Sequence, residues 1–258
     1  MLAIERLQII KDRLANEGAV SVKQLSEELS VSLETIRRDL KELEKNNANI
    51  VRTHGGAYII DAFEHEAPQY LRQTLSPGRK ETIAHQAYNF VRPNDTIFLD
   101  HSTTALYFAK YIHKQNIGLT IITNSLPIAQ EFSTSKSVNL ILIGGEFRSK
   151  SQSFVGVRAI NMLRTLKAKK SFISSTGIHL VTGITDDNEQ EAYIRRMMQE
   201  NSLEHFLLLD HYKFGKSFMN GICDPMDINT VITDMDPGTE WKDYFEAYNI
   251  NVVFPHKD

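Results

Sequence analysis

The chain is poor in most of what marks secreted, membrane and metal-dependent proteins. It has one cysteine, Cys223, in 258 residues, which excludes an intrachain disulfide and fits a reducing compartment. Its longest apolar runs, such as residues 206–209, are strand-sized, and Glu5 and Arg6 stand where a signal peptide would be apolar. A soluble cytoplasmic protein with no membrane partner is expected. The nine histidines show no paired ligand spacing: His101 stands alone in its segment, and His205 and His211 lie on either side of a strand end. No G-x-S-x-G elbow occurs, and nothing around Cys223 supports a nucleophile. Neither a metal nor a cofactor is expected. An excess of one charge sign is also missing, since the net charge is −3, which argues against a general polyanion-coating protein. No internal repeat or low-complexity stretch is visible. A 41% hydrophobic content supplies a normal core, and the length fits one small and one larger domain.

The small domain is expected over residues 1–60. Residues 3–16 carry Ile4, Leu7, Ile10 and Leu14 at helical spacing, and Gly18 stops that helix. Ser21 is placed to cap a shorter helix holding Leu25 and Leu29. After a tight turn at Ser30 and Val31, Ser32 stands as an N-cap, and Leu33, Ile36, Leu40 and Leu43 form one apolar stripe. That order is a helix-turn-helix. Two β-prone runs around Gly55 and Gly56 then read as a hairpin, or wing.

This pairing is built for double-stranded DNA. The polar side of the second helix carries Glu34, Thr35, Arg37, Arg38 and Lys41 beside Ser32, a set suited to the major groove. Arg52 and His54 fall on the wing, where they can lie along a phosphate backbone. The module nevertheless holds nine Lys and Arg against nine acids, so its DNA face must be basic by arrangement. A second copy would compensate for a weak single module, which favours a homo-oligomer.

Residues 61–78, with Pro68, Pro77 and Gly78, read as a linker holding one short helix around 69–75. Residues 79–258 alternate apolar strands with amphipathic helices. Strands are expected at 96–100, 119–123, 138–143, 170–174, 204–209, 229–233 and 250–254. The implied fold class is α/β, with a mostly parallel sheet covered on both faces. Such sheets hold small ligands at their carboxyl ends. There the sequence puts Asp100, Ser102, Thr103 and Thr104, then Asn124 and Ser125, then Gly144 and Gly145, then residues 174–177 with Gly177, and Asp210. Small hydroxyl residues and glycines at a strand-to-helix turn leave backbone N–H groups available to an anion. A phosphorylated polyol fits that set, although the same residues also make ordinary turns and caps.

Taken whole, the chain resembles the DeoR family of transcriptional regulators over almost its full length. The segments that carry the likeness are TIRRDLKELEK and VRTHGGA in the first domain. In the second they are TIFLDHSTTALYFAKYI, LTIITNSLPIA, LILIGGEFRSKSQSFVG, NEQEA and LLLDHYKFGK. The resemblance implies a winged helix-turn-helix joined to a sensor domain similar to sugar-phosphate isomerases. It also implies an oligomer, dimer or tetramer, that represses a carbohydrate-utilisation operon until a phosphorylated sugar binds.

Carried over by position, the family's effector loops fall on Asp100, Ser102–Thr104, Asn124, Ser125, Gly144, Gly145 and Gly177, with Glu191 and Lys213 from later segments. Three departures stand out: His101 where a small residue is usual, Ser175-Thr176 in place of a small-Asp pair, and Asn46 to Asn49 in place of a glycine-containing turn. An alternative remains at this point, a sugar-phosphate isomerase or transferase using Asp100, Glu191 and Lys213 as acid–base groups. Repressor and activator are not separable from sequence.

Overall fold

Helix α1 (Ala3–Glu17) turns Ile10 and Leu14 inward and ends at Gly18, whose φ of 74° is the left-handed conformation of a helix C-cap. A computed structural model of the chain describes residues 2–46, 50–52, 55–59, 69–74 and 76–255. The chain divides into two compact units, residues 1–77 and 78–258. In the first, α2 (Val22–Leu29) and α3 (Leu33–Asn46) follow α1 in helix-turn-helix order. Ile10, Leu14, Val22, Leu25, Ile36, Leu40 and Leu43 share one core. Ser32 caps α3 as its position predicts, its hydroxyl accepting the Thr35 N–H at 3.1 Å. Two members of the expected stripes fall outside the core. Ile4 is 81% exposed and Leu33 44%, because each lies in the first turn of its helix, beyond the edge of the packed face.

A three-stranded antiparallel sheet completes this unit, in the order β1 (Ala19–Ser21), β3 (Gly56–Ile59), β2 (Ile50–Arg52). The β2–β3 wing was expected; β1 was not. Ser21 makes no side-chain cap bond to α2 and instead pairs with Gly56 in the sheet. That pairing explains the glycine. A Cβ on Gly56 would fall 1.9 Å from the Val20 carbonyl oxygen, so β1 could not approach. The glycine serves close packing in addition to any turn. Helix α4 (Gln69–Thr74) contacts β1 within the same unit, with Gln69 buried. The expected linker residues 61–68, and His54, lie outside the described residues.

The second unit is built on a seven-stranded parallel sheet among the described residues. Its strands are β4 (Thr96–Leu99), β5 (Leu119–Thr123), β6 (Val138–Leu142), β9 (Ala168–Ile173), β12 (Ser202–Leu209), β14 (Thr230–Thr233) and β15 (Asn251–Val253). Their spatial order is β15-β14-β12-β9-β4-β5-β6. Successive side chains serve opposite faces. Phe98, Ile122, Ile173 and Leu207 join one core, while Ile97, Leu99, Ile121, Phe172 and Phe206 join the other. Helices α5 (Pro77–Tyr88), α6 (Thr103–Gln115) and α7 (Leu126–Glu131) supply residues to the second core. Helices α8 (Gly156–Arg164), α9 (Glu189–Glu200) and α10 (Thr239–Ala247) supply residues to the first.

From β4 the chain runs outward through β5 and β6, then returns to the other side of β4 at β9. The boundary between β4 and β9 is therefore the topological switch point, where open α/β sheets leave a crevice at their carboxyl ends. Two small antiparallel additions were not expected from sequence. One is the hairpin β7 (Glu146–Arg148) and β8 (Ser153–Val155); the other is the sheet β10 (Gly177–His179), β11 (Gly183–Asp186) and β13 (Asn220–Cys223).

Candidate nucleic-acid face and effector site

Ser32, Glu34, Thr35, Arg37, Arg38 and Lys41 of α3 and its cap line one groove of about 490 Å³ together with Arg52 of β2. Every described residue expected at the DNA face is in it. Among the described residues, the groove holds the four cations Arg37, Arg38, Lys41 and Arg52 against the single carboxylate Glu34, although the module as a whole is neutral. Several acids are spent elsewhere. Asp39 is buried against Arg6, with Nε–Oδ2 at 2.5 Å and Nη2–Oδ1 at 3.1 Å. Glu17 and Glu28 face Arg13.

Within the groove the cations differ in freedom. Arg37 meets Glu34 at 3.3 Å, both well exposed, so the pair is weak. Arg52 is held twice by Glu44, through Nε at 2.7 Å and its backbone N–H at 3.1 Å. The Arg52 hydrogen bond keeps the Glu44 carboxyl below its ordinary range, against the opposing effect of burial. Among the described residues, Arg38 and Lys41 form no ion pair.

At the switch point of the second unit, Asp100 follows β4 and Ser174 follows β9. Asp100 is fully buried and its carboxylate is engaged on both oxygens. Oδ1 accepts the Ser102 N–H at 3.2 Å and hydroxyl at 2.6 Å. Oδ2 accepts the Ser174 N–H at 3.1 Å and Arg195 Nε at 2.7 Å. Ser102 in turn caps α6, accepting the Ala105 N–H at 3.0 Å. Thr103 and Thr104 lie buried in the first turn of that helix. Lys213 Nζ donates to Ser174 Oγ at 2.9 Å.

Across the β4–β5 pair, where Leu99 faces Thr123, Asn124 stands beside Asp100. Its Nδ2 donates to the Phe154 carbonyl at 3.0 Å, while its buried Oδ1 has no hydrogen-bond partner among the described residues. Ser125 caps α7. Gly145 and Gly177 have packing reasons: a Cβ would fall 2.4 Å from the Val155 carbonyl oxygen and 2.5 Å from that of Lys216, respectively. Gly144 is exposed with open space around it.

Glu191, on α9, does not meet Asp100 directly. It is reached by His101 Nε2 at 2.9 Å and by Arg148 Nε from β7 at 3.1 Å. One turn further along α9, Arg195 joins Asp100 to Asp186 and brings Nη2 to 3.1 Å from His101 Nε2. A single ring nitrogen cannot both donate to the Glu191 carboxylate and accept from Arg195. The Nε2–H form donating to Glu191 leaves the arginine contact as proximity only.

Burial alone would raise the Asp100 and Glu191 carboxyls. Arg195 and His101, with hydrogen bonds to the ionised forms, outweigh it and hold both below the usual carboxylate range. Burial would likewise lower the Arg195 guanidinium, but Asp186, Asp100 and Glu191 hold it above its ordinary value. Burial pushes the Cys223 thiol up to about 12, which makes it a poor nucleophile.

Sequence reasoning missed Arg195, Arg148 and Asp186. For Arg195 a signal existed, since Glu191 and Arg195 are four apart on one helix and must share a face. Among the described residues, no cluster of three or more His, Cys, Asp or Glu has metal-binding geometry. No helix among them is long and apolar enough to cross a membrane.

Comparisons with known proteins agree with both halves. The model of the DeoR-like helix-turn-helix domain matches residues 6–63, and that of the DeoR C terminal sensor domain matches residues 76–235. The chain is 38% identical to the HTH-type transcriptional regulator YulB of Bacillus subtilis (strain 168), over 93% of this chain and 92% of that protein. It is 30% identical to the HTH-type transcriptional regulator IolR of the same organism, over 97% and 99%. It is 34% identical to the lactose phosphotransferase system repressor of Staphylococcus epidermidis, over 95% and 96%. A ribose 5-phosphate isomerase A from Methanocaldococcus jannaschii aligns with 52% of this chain and 53% of its own, at 15% identity and a TM-score of 0.39, too distant to carry an argument about function. With two domain models matched in order and relatives aligned along nearly their whole length, the chain belongs to the DeoR family of DNA-binding transcriptional regulators.

Proposed function

We propose that the chain represses a carbohydrate-utilisation operon, binding operator DNA as a homo-oligomer through the α3 groove and releasing it when a phosphorylated sugar or polyol occupies the switch-point site. The observation that carries the effector site is the convergence of Asp100, Ser102, Asn124, Ser174 and Lys213 at the carboxyl ends of adjacent strands. In this reading Asp100 acts as a brace. Its lone pairs are taken up by Ser102, Ser174 and Arg195, so it holds the loop while the first turn of α6 and Lys213 receive the phosphate. The unpartnered Asn124 Oδ1 is an acceptor for a ligand hydroxyl. The names of the relatives, among them a lactose phosphotransferase system repressor, support a sugar-linked signal. We take the DNA-binding domain as residues 1–60 and the sensor domain as 79–258; the connecting residues 61–78 include α4, which packs on β1 in the first of the two compact units, 1–77 and 78–258.

Turnover is the weaker reading for a physical reason. Aldose–ketose exchange near neutral pH needs a base tuned toward that pH. Asp100 and Glu191 are displaced the other way and are already engaged by cations. A thermal-shift screen of the full chain against phosphorylated sugars and their unphosphorylated parents tests the proposal. A true effector at a hundredfold excess over its Kd stabilises the binding state by about 2.7 kcal/mol. Phosphorus NMR of the best ligand should show no product. Steady conversion to an isomer would falsify the sensor reading.

A further inference from the structure

Lys213 belongs to a short 3-10 turn, His211–Lys213, capped by Asp210, whose carboxylate accepts the Tyr212 N–H at 3.1 Å. The two residues ahead of Lys213 in that turn are tied elsewhere. His211 donates its backbone N–H to Asp234 Oδ1 at 2.8 Å, and its Nδ1 lies 2.8 Å from Asp234 Oδ2. Arg79 lies over the Tyr212 ring, 4.4 Å from its centroid, and reaches the Tyr212 hydroxyl with Nη2 at 3.3 Å. Its Nε comes within 3.8 Å of Asp234 Oδ2. Asp234, just past β14, thus serves both His211 and Arg79.

The place of Arg79 in the chain gives this cluster its meaning. It stands in the first turn of α5 and is the second residue of the sensor unit, directly after the segment that arrives from the DNA-binding unit. Hydrogen bonds therefore join Asp100 through Ser174 to Lys213, the backbone of the turn continues to Tyr212 and His211, and these two meet Arg79 and Asp234 respectively.

We propose that the Arg79–Tyr212–Asp234 cluster is a latch that reports occupancy of the switch-point site to the start of α5. The inference rests on the effector-site reading above and names how that site is read out. An anion held by Lys213 competes with Ser174 for its ammonium. The turn is only three residues long, so a shift of Lys213 carries Tyr212 and His211 with it. The bonds at the far end are of the kind that exchange at low cost. The cation over the exposed Tyr212 ring is weakly held, and the Arg79–Asp234 pair is long, at 3.8 Å, with Arg79 about a third exposed. Opened and closed latches are then close in free energy, and a ligand with different affinity for the two shifts the balance.

Hydrogen exchange read by mass spectrometry on the full chain, with inorganic phosphate as the probe, tests the latch. Wild type, Arg79→Met and Tyr212→Leu are compared. In the wild type, phosphate should slow exchange at residues 100–106 and speed it in the first turns of α5. Both variants should keep the response at 100–106 and lose most of the response in α5. Protection at 100–106 with α5 unchanged in the wild type would overturn the latch while leaving the site intact. So would variants that retain both responses. No protection at 100–106 in the wild type would remove the site itself, and the latch with it.

Discussion

The two units of this chain treat charge in opposite ways. On the DNA side, charged groups that matter lie on the outside. Arg37, Arg38, Lys41 and Arg52 share one groove, and an interior ion pair, Arg6 with Asp39, ties α1 to α3. On the sensor side the charges are turned inward. Asp100, Asp186, Glu191 and Arg195 are all nearly inaccessible; Arg195 pairs with Asp100 and Asp186, and Glu191 with His101 and Arg148. A surface that must grip a polyanion keeps its cations solvated and loosely held. A site that must stay folded in its own right stores its charges in matched pairs. The difference predicts that substitutions in the groove act on binding with little effect on stability, whereas substitutions in the sensor network act first on stability.

The largest effect should come from Arg195→Met, which leaves Asp100 and Asp186 buried without their common cation. Breaking a buried pair in this way costs about 3–5 kcal/mol. The single tryptophan, Trp241, sits in α10 of the sensor unit. Its fluorescence during urea unfolding therefore reports that unit selectively. A midpoint unchanged from the wild type would remove the network from any structural role.

Acid should separate the two units next. Asp100 and Glu191 titrate lower in the folded chain than in the unfolded one. Their stabilising contribution is thus present above the ordinary carboxylate range, near about 4, and is lost as pH falls below it. In the DNA-binding unit the comparable carboxylate, Glu44, is 37% exposed at its side chain, so solvent weakens its effect. Trp241 fluorescence should therefore report acid unfolding of the sensor at a pH where amide exchange in α3 is still protected. Simultaneous loss of both would break the comparison.

The smallest of these effects on the molecule falls on the groove. Arg38→Ala should weaken binding to a selected duplex by about 1–3 kcal/mol, with no shift in unfolding midpoint. Arg52→Ala should cost less, because Glu44 already competes for that side chain. Anisotropy with a labelled duplex measures both. Equal losses would mean that Glu44 releases Arg52 on binding.

What could be read from the sequence follows the same division. The groove was legible because a helix fixes its faces by spacing alone, so Ser32, Arg38 and Lys41 could be set on one side without knowing the rest of the fold. Most of the parallel strands were legible from short apolar stretches set between helical segments, as at 121–122 and 206–209. Strand β1 was not. Three residues carry no period, and their partners lie in β3, far along the chain. The β7–β8 hairpin was hidden by the shortness of its strands alone, three residues each, since its partners are close in the chain. Asp100 could be found from its place after a strand, but its role could not, because Ser174 and Arg195 arrive from distant segments. Arg148, on β7, reaches Glu191 from 43 residues away in the chain, a separation that no local pattern reveals.

The central claim is that the sensor unit controls the groove. The most direct test is fluorescence anisotropy of the full chain bound to a duplex selected from a random library, titrated with phosphorylated sugars and with the same sugars unphosphorylated. The account predicts saturable release by a phosphorylated sugar, no release by its parent, and a large loss of sensitivity in Lys213→Gln with affinity for the duplex retained. Release by the parent sugar at the same concentration, or unaltered sensitivity in Lys213→Gln, would contradict it.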